Sequence, residues 1–185
     1  MRRSVKVTLL VLAFGLVLPT PFSEASKLPI DADTPGGNPT RSDSRTDITR
    51  VPLRFELSMI DNDIVQEFAK AWTISSNGTS GKEGVVLIFK SITGGYQGRV
   101  QRSTNEMRQV TFTWVSNAIA VVHTHPNKND PRPSIMDRQL ADRFNVPMIT
   151  ITLRGMYVYD PATKETKRVF DGLDWLDSNK WGKRT

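Results

Sequence analysis

The sequence predicts an α/β (α+β) domain: a mixed β-sheet flanked by helices. Three observations predict it. Met59, Ile60, Ile64, Phe68, Ala71 and Trp72 recur at helical spacing over residues 58–72. Val85-Val86-Leu87-Ile88-Phe89 is an unbroken apolar, β-branched run of the kind found in strands buried on both faces. Ser134 stands as an N-cap before a second helical stretch, residues 135–144, so helices and strands are interleaved along the chain.

The elements follow in order. The Ser/Asn/Gly/Thr stretch at residues 75–81 ends the first helix, and Glu83-Gly84 leads into the strand at 85–89. Gly94-Gly95 makes a turn across which residues 96–100 can pair back. Residues 109–115 alternate and read as a strand, and residues 118–125 form the next, apolar through Val122. Asn, Asp and Pro at 127–133 make a loop before the Ser134 helix. Residues 148–153 and 156–159 form a hairpin around Arg154-Gly155, and Trp175 and Trp181 in the tail are expected to pack back on the domain.

The chain of 185 residues is long enough for one domain with a real core. Residues 1–25 have the layout of an export signal. Arg2, Arg3 and Lys6 precede an apolar run at 7–19, and Ser23-Glu24-Ala25 puts small residues where a signal peptidase reads. The run is shorter than the ~18 residues that span a bilayer; an uncleaved anchor is the alternative. The Arg2-Arg3 pair belongs to a twin-arginine pattern too incomplete to assign that route. Residues 26–50, rich in Pro, Gly, Ser, Thr and Asp, lack an apolar period and read as a flexible linker. The domain is then residues 51–185, secreted or periplasmic, with no membrane span left after signal cleavage.

The absence of cysteine excludes disulfides, thiolate metal sites, a Cys nucleophile and lipidation at a cysteine. The net charge of +6 is dispersed, without a Lys/Arg block or aromatic-basic interleave, which points away from nucleic acid.

The only two histidines, His123 and His125, stand two apart on a predicted strand. Residues i and i+2 of a strand share a face, so both imidazoles aim at one point. Pro126 then ends the strand. Asp137 lies in the first turn of the Ser134 helix, where it can face back to the strand end. Two His and one carboxylate with an open fourth position is the ligand set of a catalytic rather than a structural zinc site. Ser134-Ile135-Met136-Asp137 also reads as a capping box, and a carboxylate engaged in the cap would compete with one engaged by a metal.

His123-Thr124-His125-Pro126 followed by Ser134-Ile135-Met136-Asp137 resembles the signature of the JAMM (JAB, MPN+) zinc metalloprotease domains, over roughly residues 82–160. Thr124 stands where many members carry Ser. The resemblance implies a fold similar to the JAMM and cytidine deaminase-like sheet. It implies Zn2+ held by His123, His125 and Asp137, and hydrolysis of a peptide or isopeptide bond. A glutamate upstream of the His pair would shuttle the proton: Glu83 is the closest match, with Glu67 and Glu106 as alternatives. Ser134 would stabilise the oxyanion. Other readings are a non-catalytic MPN-like binding module, an adhesin with an incidental His pair, and a PHP-type phosphoesterase, which would need several more histidines. For an exported enzyme of this chemistry, a cell-wall peptide is the substrate that suits the compartment.

Overall fold

In a computed structural model, residues 5–10, 56–92, 94–102, 104–106 and 109–181 are described. The predicted linker and the rest of the predicted export signal lie outside them. The elements in chain order are β1 (Val5–Leu10), α1 (Asn62–Ile74), β2 (Val85–Lys90), β3 (Tyr96–Val100), β4 (Thr104–Glu106), β5 (Gln109–Trp114), β6 (Ala118–Thr124), α2 (Ile135–Phe144), β7 (Met148–Thr152), β8 (Gly155–Asp160) and β9 (Glu165–Asp171). The chain is α+β, as the sequence predicts.

Six strands form the main sheet in the order β3-β2-β6-β7-β8-β9. All neighbours are antiparallel except β6 and β7, which run parallel with α2 as the connection between them. A smaller sheet, β1-β5-β4, is antiparallel throughout.

Both faces of the main sheet are covered, which is why β2, β6 and β7 lack polar alternation. Val86, Ile88, Ala120, Val122, Ile149 and Ile151 pack on one side with Ile64, Phe68, Ala71 and Trp72 of α1. Val85, Leu87, Val121 and Met148 pack on the other with Ala141 of α2 and Val110, Phe112 and Trp114 of β5. Neighbouring residues of one strand thus serve opposite cores, as the period of two requires.

The tail closes the α1 side, as expected from its tryptophans. Trp175 is fully buried; its indole N–H donates to the Thr152 carbonyl, and that of Trp181 donates to the Trp175 carbonyl, both at 3.0 Å. Trp175 meets Trp72 edge-on, and Trp181 lies against Phe68 and Phe170.

Helix α1 begins at Asn62 rather than at residue 58. Asp61 is its N-cap, accepting from the Ile64 N–H at 3.0 Å, and Leu57–Met59 form a separate 3-10 turn. Helix α2 has the bounds expected. Strand β9 was not expected: only Phe170 of its residues is fully buried, and Glu165, Lys167 and Arg168 are exposed. A charged edge strand carries no apolar alternation to read and is protected against further pairing. Strand β1 lies inside the segment read as an export signal. Among the described residues no helix is long and apolar enough to cross a membrane.

Candidate metal centre

The site is built at the end of the β2–β6 ladder. Val85 stands opposite His123 in register, so His123 shares the α2 face of the sheet with Val85 and Leu87. By the same period His125 and Glu83 extend onto that face one step further along. Strand pairing continues past Thr124: the His125 N–H donates to the Ile151 carbonyl at 3.2 Å before Pro126 turns the chain away. Helix α2 then returns over this end of the sheet and places Asp137 above the imidazoles.

The three predicted ligand side chains converge and are buried. His123 Nε2 and His125 Nε2 are 3.0 Å apart, and Asp137 Oδ2 is 3.4 Å from each. A tetrahedral centre with bonds of about 2.0–2.1 Å has donor atoms about 3.3–3.4 Å apart. The two His–Asp distances match that spacing and the His–His distance is slightly shorter, and the donor set of two imidazoles and one carboxylate suits zinc.

The capping box is formed and leaves Asp137 facing the imidazoles. Ser134 Oγ accepts from the Asp137 N–H at 3.2 Å, and the Ser134 N–H donates to Asp137 Oδ2 at 2.7 Å. The same Oδ2 faces both imidazoles. A carboxylate oxygen has two lone-pair directions, so the same Oδ2 could serve both the cap and a metal. Ser134 Oγ uses its acceptor side in the cap, which leaves its O–H for another partner.

Glu83 is 2 % exposed, and neither carboxylate oxygen has a hydrogen-bond partner. Its backbone is fixed by its neighbour: the Gly84 N–H donates to Thr124 Oγ1 at 2.9 Å, and the Thr124 N–H to the Gly84 carbonyl at 3.0 Å. A Cβ at Gly84 would lie 2.2 Å from the Ala71 carbonyl of α1, so only glycine permits this approach. Glu67 and Glu106 are placed elsewhere. Glu67 is on α1, across the sheet, accepting from the Val100 N–H and paired with Lys70; Glu106 ends β4 in the smaller sheet.

The electrostatics bind these groups into one unit. Burial raises the Glu83 pKa; the positive charges of His123 and His125 work against that and Asp137 adds to it. Burial opposes the charge on His125, yet its hydrogen bond with Asp137 and the nearby Glu83 carboxylate push its pKa up to about 9. Burial also opposes ionisation of Asp137, but the charge and hydrogen bond of His123 and the bond to His125 hold its carboxyl well below the usual range. Three buried titratable groups shifted by burial and by one another make this cluster a candidate functional site.

No motif in the sequence indicates what orients His125. Its Nδ1 meets the Asp130 carbonyl at 2.9 Å. With the proton on Nδ1, the Nε2 lone pair faces the cluster. The carbonyls on either side of Asp130 are pinned. Thr150 Oγ1 donates to the Pro131 carbonyl at 2.5 Å, and the Arg154 guanidinium donates to the Asn129 carbonyl. Thr150 stands opposite His123 in the parallel ladder, so one strand supports both imidazoles.

No protein-family model and no curated protein matches this chain.

Proposed function

We propose that the chain is an exported zinc-dependent hydrolase that cleaves peptide or isopeptide bonds, with a JAMM-like site. The observation that carries this reading is the triangle of His123 Nε2, His125 Nε2 and Asp137 Oδ2 with the unpartnered Glu83 carboxylate buried beside it. A buried carboxylate without a single hydrogen bond costs stability. Its place beside three converging ligand side chains is accounted for by a proton-transfer role.

Zinc held by the three residues would supply Lewis acidity and lower the pKa of a water toward about 7. The chain's own groups do the rest. Glu83, with its pKa raised by burial, takes the proton of the attacking water and delivers it to the leaving amine. The Ser134 hydroxyl donates to the oxyanion that forms on the carbonyl. Asp137 neutralises cationic charge at the centre, and the Asp130 carbonyl keeps His125 in the tautomer that presents Nε2. The partner is a peptide or isopeptide-linked substrate, for which a cell-wall peptide suits an exported enzyme.

The test is metal content and amide hydrolysis of the purified chain, beside Glu83→Gln and Asp137→Asn. Stoichiometric zinc, metal-dependent cleavage and loss of cleavage in both variants are expected. A wild-type chain that binds no zinc and cleaves no amide would sink the proposal. Full activity in Glu83→Gln would move the shuttle to another residue.

A further inference from the structure

We infer that the rim of the candidate metal centre, formed by Ile135, Met136 and Leu153 with Lys128 and Arg154, docks the peptide substrate, and that this peptide is acidic and carries a large apolar side chain beside the scissile bond. The inference rests on the hydrolase reading for the place of that bond and goes beyond it in naming what flanks the bond. Exposed large apolar side chains gather where the ligand residues converge. Ile135 is 59 % exposed and Met136 37 %, and both lie between Ser134 and Asp137 in the first turn of α2. Leu153 is 50 % exposed at the tip of the β7–β8 hairpin, beyond the pair Thr152 and Gly155. That tip lies against the loop at 127–133: the Arg154 guanidinium donates to the Asn129 carbonyl, one residue before the Asp130 carbonyl that meets His125.

None of the three apolar residues belongs to either core. Nor do their elements call for them. The first turn of a helix favours acidic side chains, which answer its dipole, and a hairpin tip favours Gly, Asn or Asp. A single exposed apolar residue needs no explanation, but a group of them beside a cluster of converging ligand side chains marks a contact surface. The charges among them give the sign of the partner. The Asn129 N–H donates to the Pro126 carbonyl at 3.0 Å, a turn that holds up Lys128, which is exposed and without a carboxylate partner among the described residues. Across residues 127–133 and the hairpin tip, Lys128, Arg132 and Arg154 face one exposed carboxylate, Asp130, which is already tied to Arg132. The rim is therefore an apolar lip with a cationic surplus. A peptide with Glu or Asp near a Leu-like side chain matches both features, whereas a basic peptide meets like charge.

Labelled hexapeptide pools test this by fluorescence anisotropy on the full chain in the presence of zinc, with Glu83→Gln to halt turnover. One pool draws on Ala, Gly, Leu and Glu; a second has Lys in place of Glu, and a third has Ser in place of Leu. The first should bind at least about tenfold more tightly than either of the others. Lys128→Glu reverses a surface charge that has no carboxylate partner, so it should weaken the first pool about fivefold and strengthen the second. Ile135→Ser combined with Met136→Ser should bring the first pool to within about threefold of the third. Absence of binding by every pool, or equal binding of all of them, overturns the inference. A preference that Lys128→Glu and the paired serine substitutions leave unchanged overturns it too, because the preference then arises elsewhere on the chain. The two readings fail separately. Wild-type chain that cuts all the pools at equal rates refutes the rim and keeps the hydrolase. Wild-type chain that takes up no zinc and cuts nothing, yet binds the pools in the expected order, refutes the hydrolase and leaves the rim standing as a surface for acidic, apolar peptides.

Discussion

Glu83→Gln should make the metal-free chain more stable at neutral pH while abolishing the hydrolytic activity proposed for it. The wild-type carboxylate is 2 % exposed, with both oxygens unpartnered. A buried polar group without a partner costs about 1–3 kcal/mol, and more when charged. The glutamine amide is unpartnered too but carries no charge, so the variant recovers about 1–2 kcal/mol. For a domain of this size that is a rise in Tm of about 3–8 °C. The pH dependence identifies the cause. In the unfolded chain the carboxyl titrates near its ordinary value of 4.5; in the folded chain burial raises it. Between the two values the unfolded state has released a proton that the folded state keeps, so wild-type stability falls as pH rises through this window. The glutamine has no such dependence. Melts in chelator should therefore show a gap between the two proteins that is small at pH 4.5 and widens toward pH 8. A gap that does not change with pH, or a variant less stable than wild type at pH 8, would refute the reasoning. Added zinc should reverse the ranking, because a nearby cation favours the carboxylate.

Asp137→Asn should keep most of the cap, since an amide oxygen can still accept from the Ser134 N–H, yet lose zinc affinity by more than the ~10–100-fold that follows loss of a supporting partner; a zinc titration against a competing chelator measures it. Ser134→Ala should cost about 1 kcal/mol of stability through the cap and retain zinc, while kcat for a cleavable amide falls about 10²-fold as an oxyanion donor is lost. Thr150→Val frees the Pro131 carbonyl, loosens the loop that holds the Asp130 carbonyl on His125, and should weaken zinc about tenfold with little change in kcat at saturating metal. Gly84→Ala sets a Cβ against the Ala71 carbonyl at 2.2 Å; about 2–3 kcal/mol of destabilisation in denaturant melts is expected.

Much of this arrangement was legible in the sequence because it follows from period. The spacing of His123 and His125 needed only the strand alternation that puts i and i+2 on one face. Glu83 is singled out in the sequence only by the resemblance, from its place at the start of the first core strand; in the structure the alternation carried back from Leu87 and Val85 puts it on that face, while Glu67 is on α1. The bounds of α2 could be read because Ser134 is a strong cap. What escaped was carried by backbone groups or polar edges. The Asp130 carbonyl has no side-chain signature, and neither do the Thr150 and Arg154 contacts that fix the carbonyls beside it. Strand β9 buries one residue fully and so shows no apolar pattern. The start of α1 at Asn62 could have been found, since Asp61 is a good N-cap, but the apolar Met59 and Ile60 extended the periodic run past it.

The double use of Asp137 would tie the proposed metal centre to the fold more closely than the ligand triangle alone. Its Oδ2 accepts from the Ser134 N–H at 2.7 Å and faces both imidazoles at 3.4 Å. In the absence of metal, the charge and hydrogen bond of His123 and the hydrogen bond of protonated His125 hold the carboxylate ionised, and the His125 pKa of about 9 is itself raised by Asp137 and Glu83. Metal binding must expel that proton, because a cation and an imidazolium cannot share Nε2. Zinc affinity should therefore rise with pH up to about 9 and fall as the solution is acidified. The hydrogen bond from Ser134 should survive in both states, because Oδ2 has a second lone pair to accept it. Helix α2 thus keeps its N-terminus fixed whether the charge facing Asp137 is a proton on His125 or a metal ion, and the ligand geometry is held ready by a cap that the helix needs in any case.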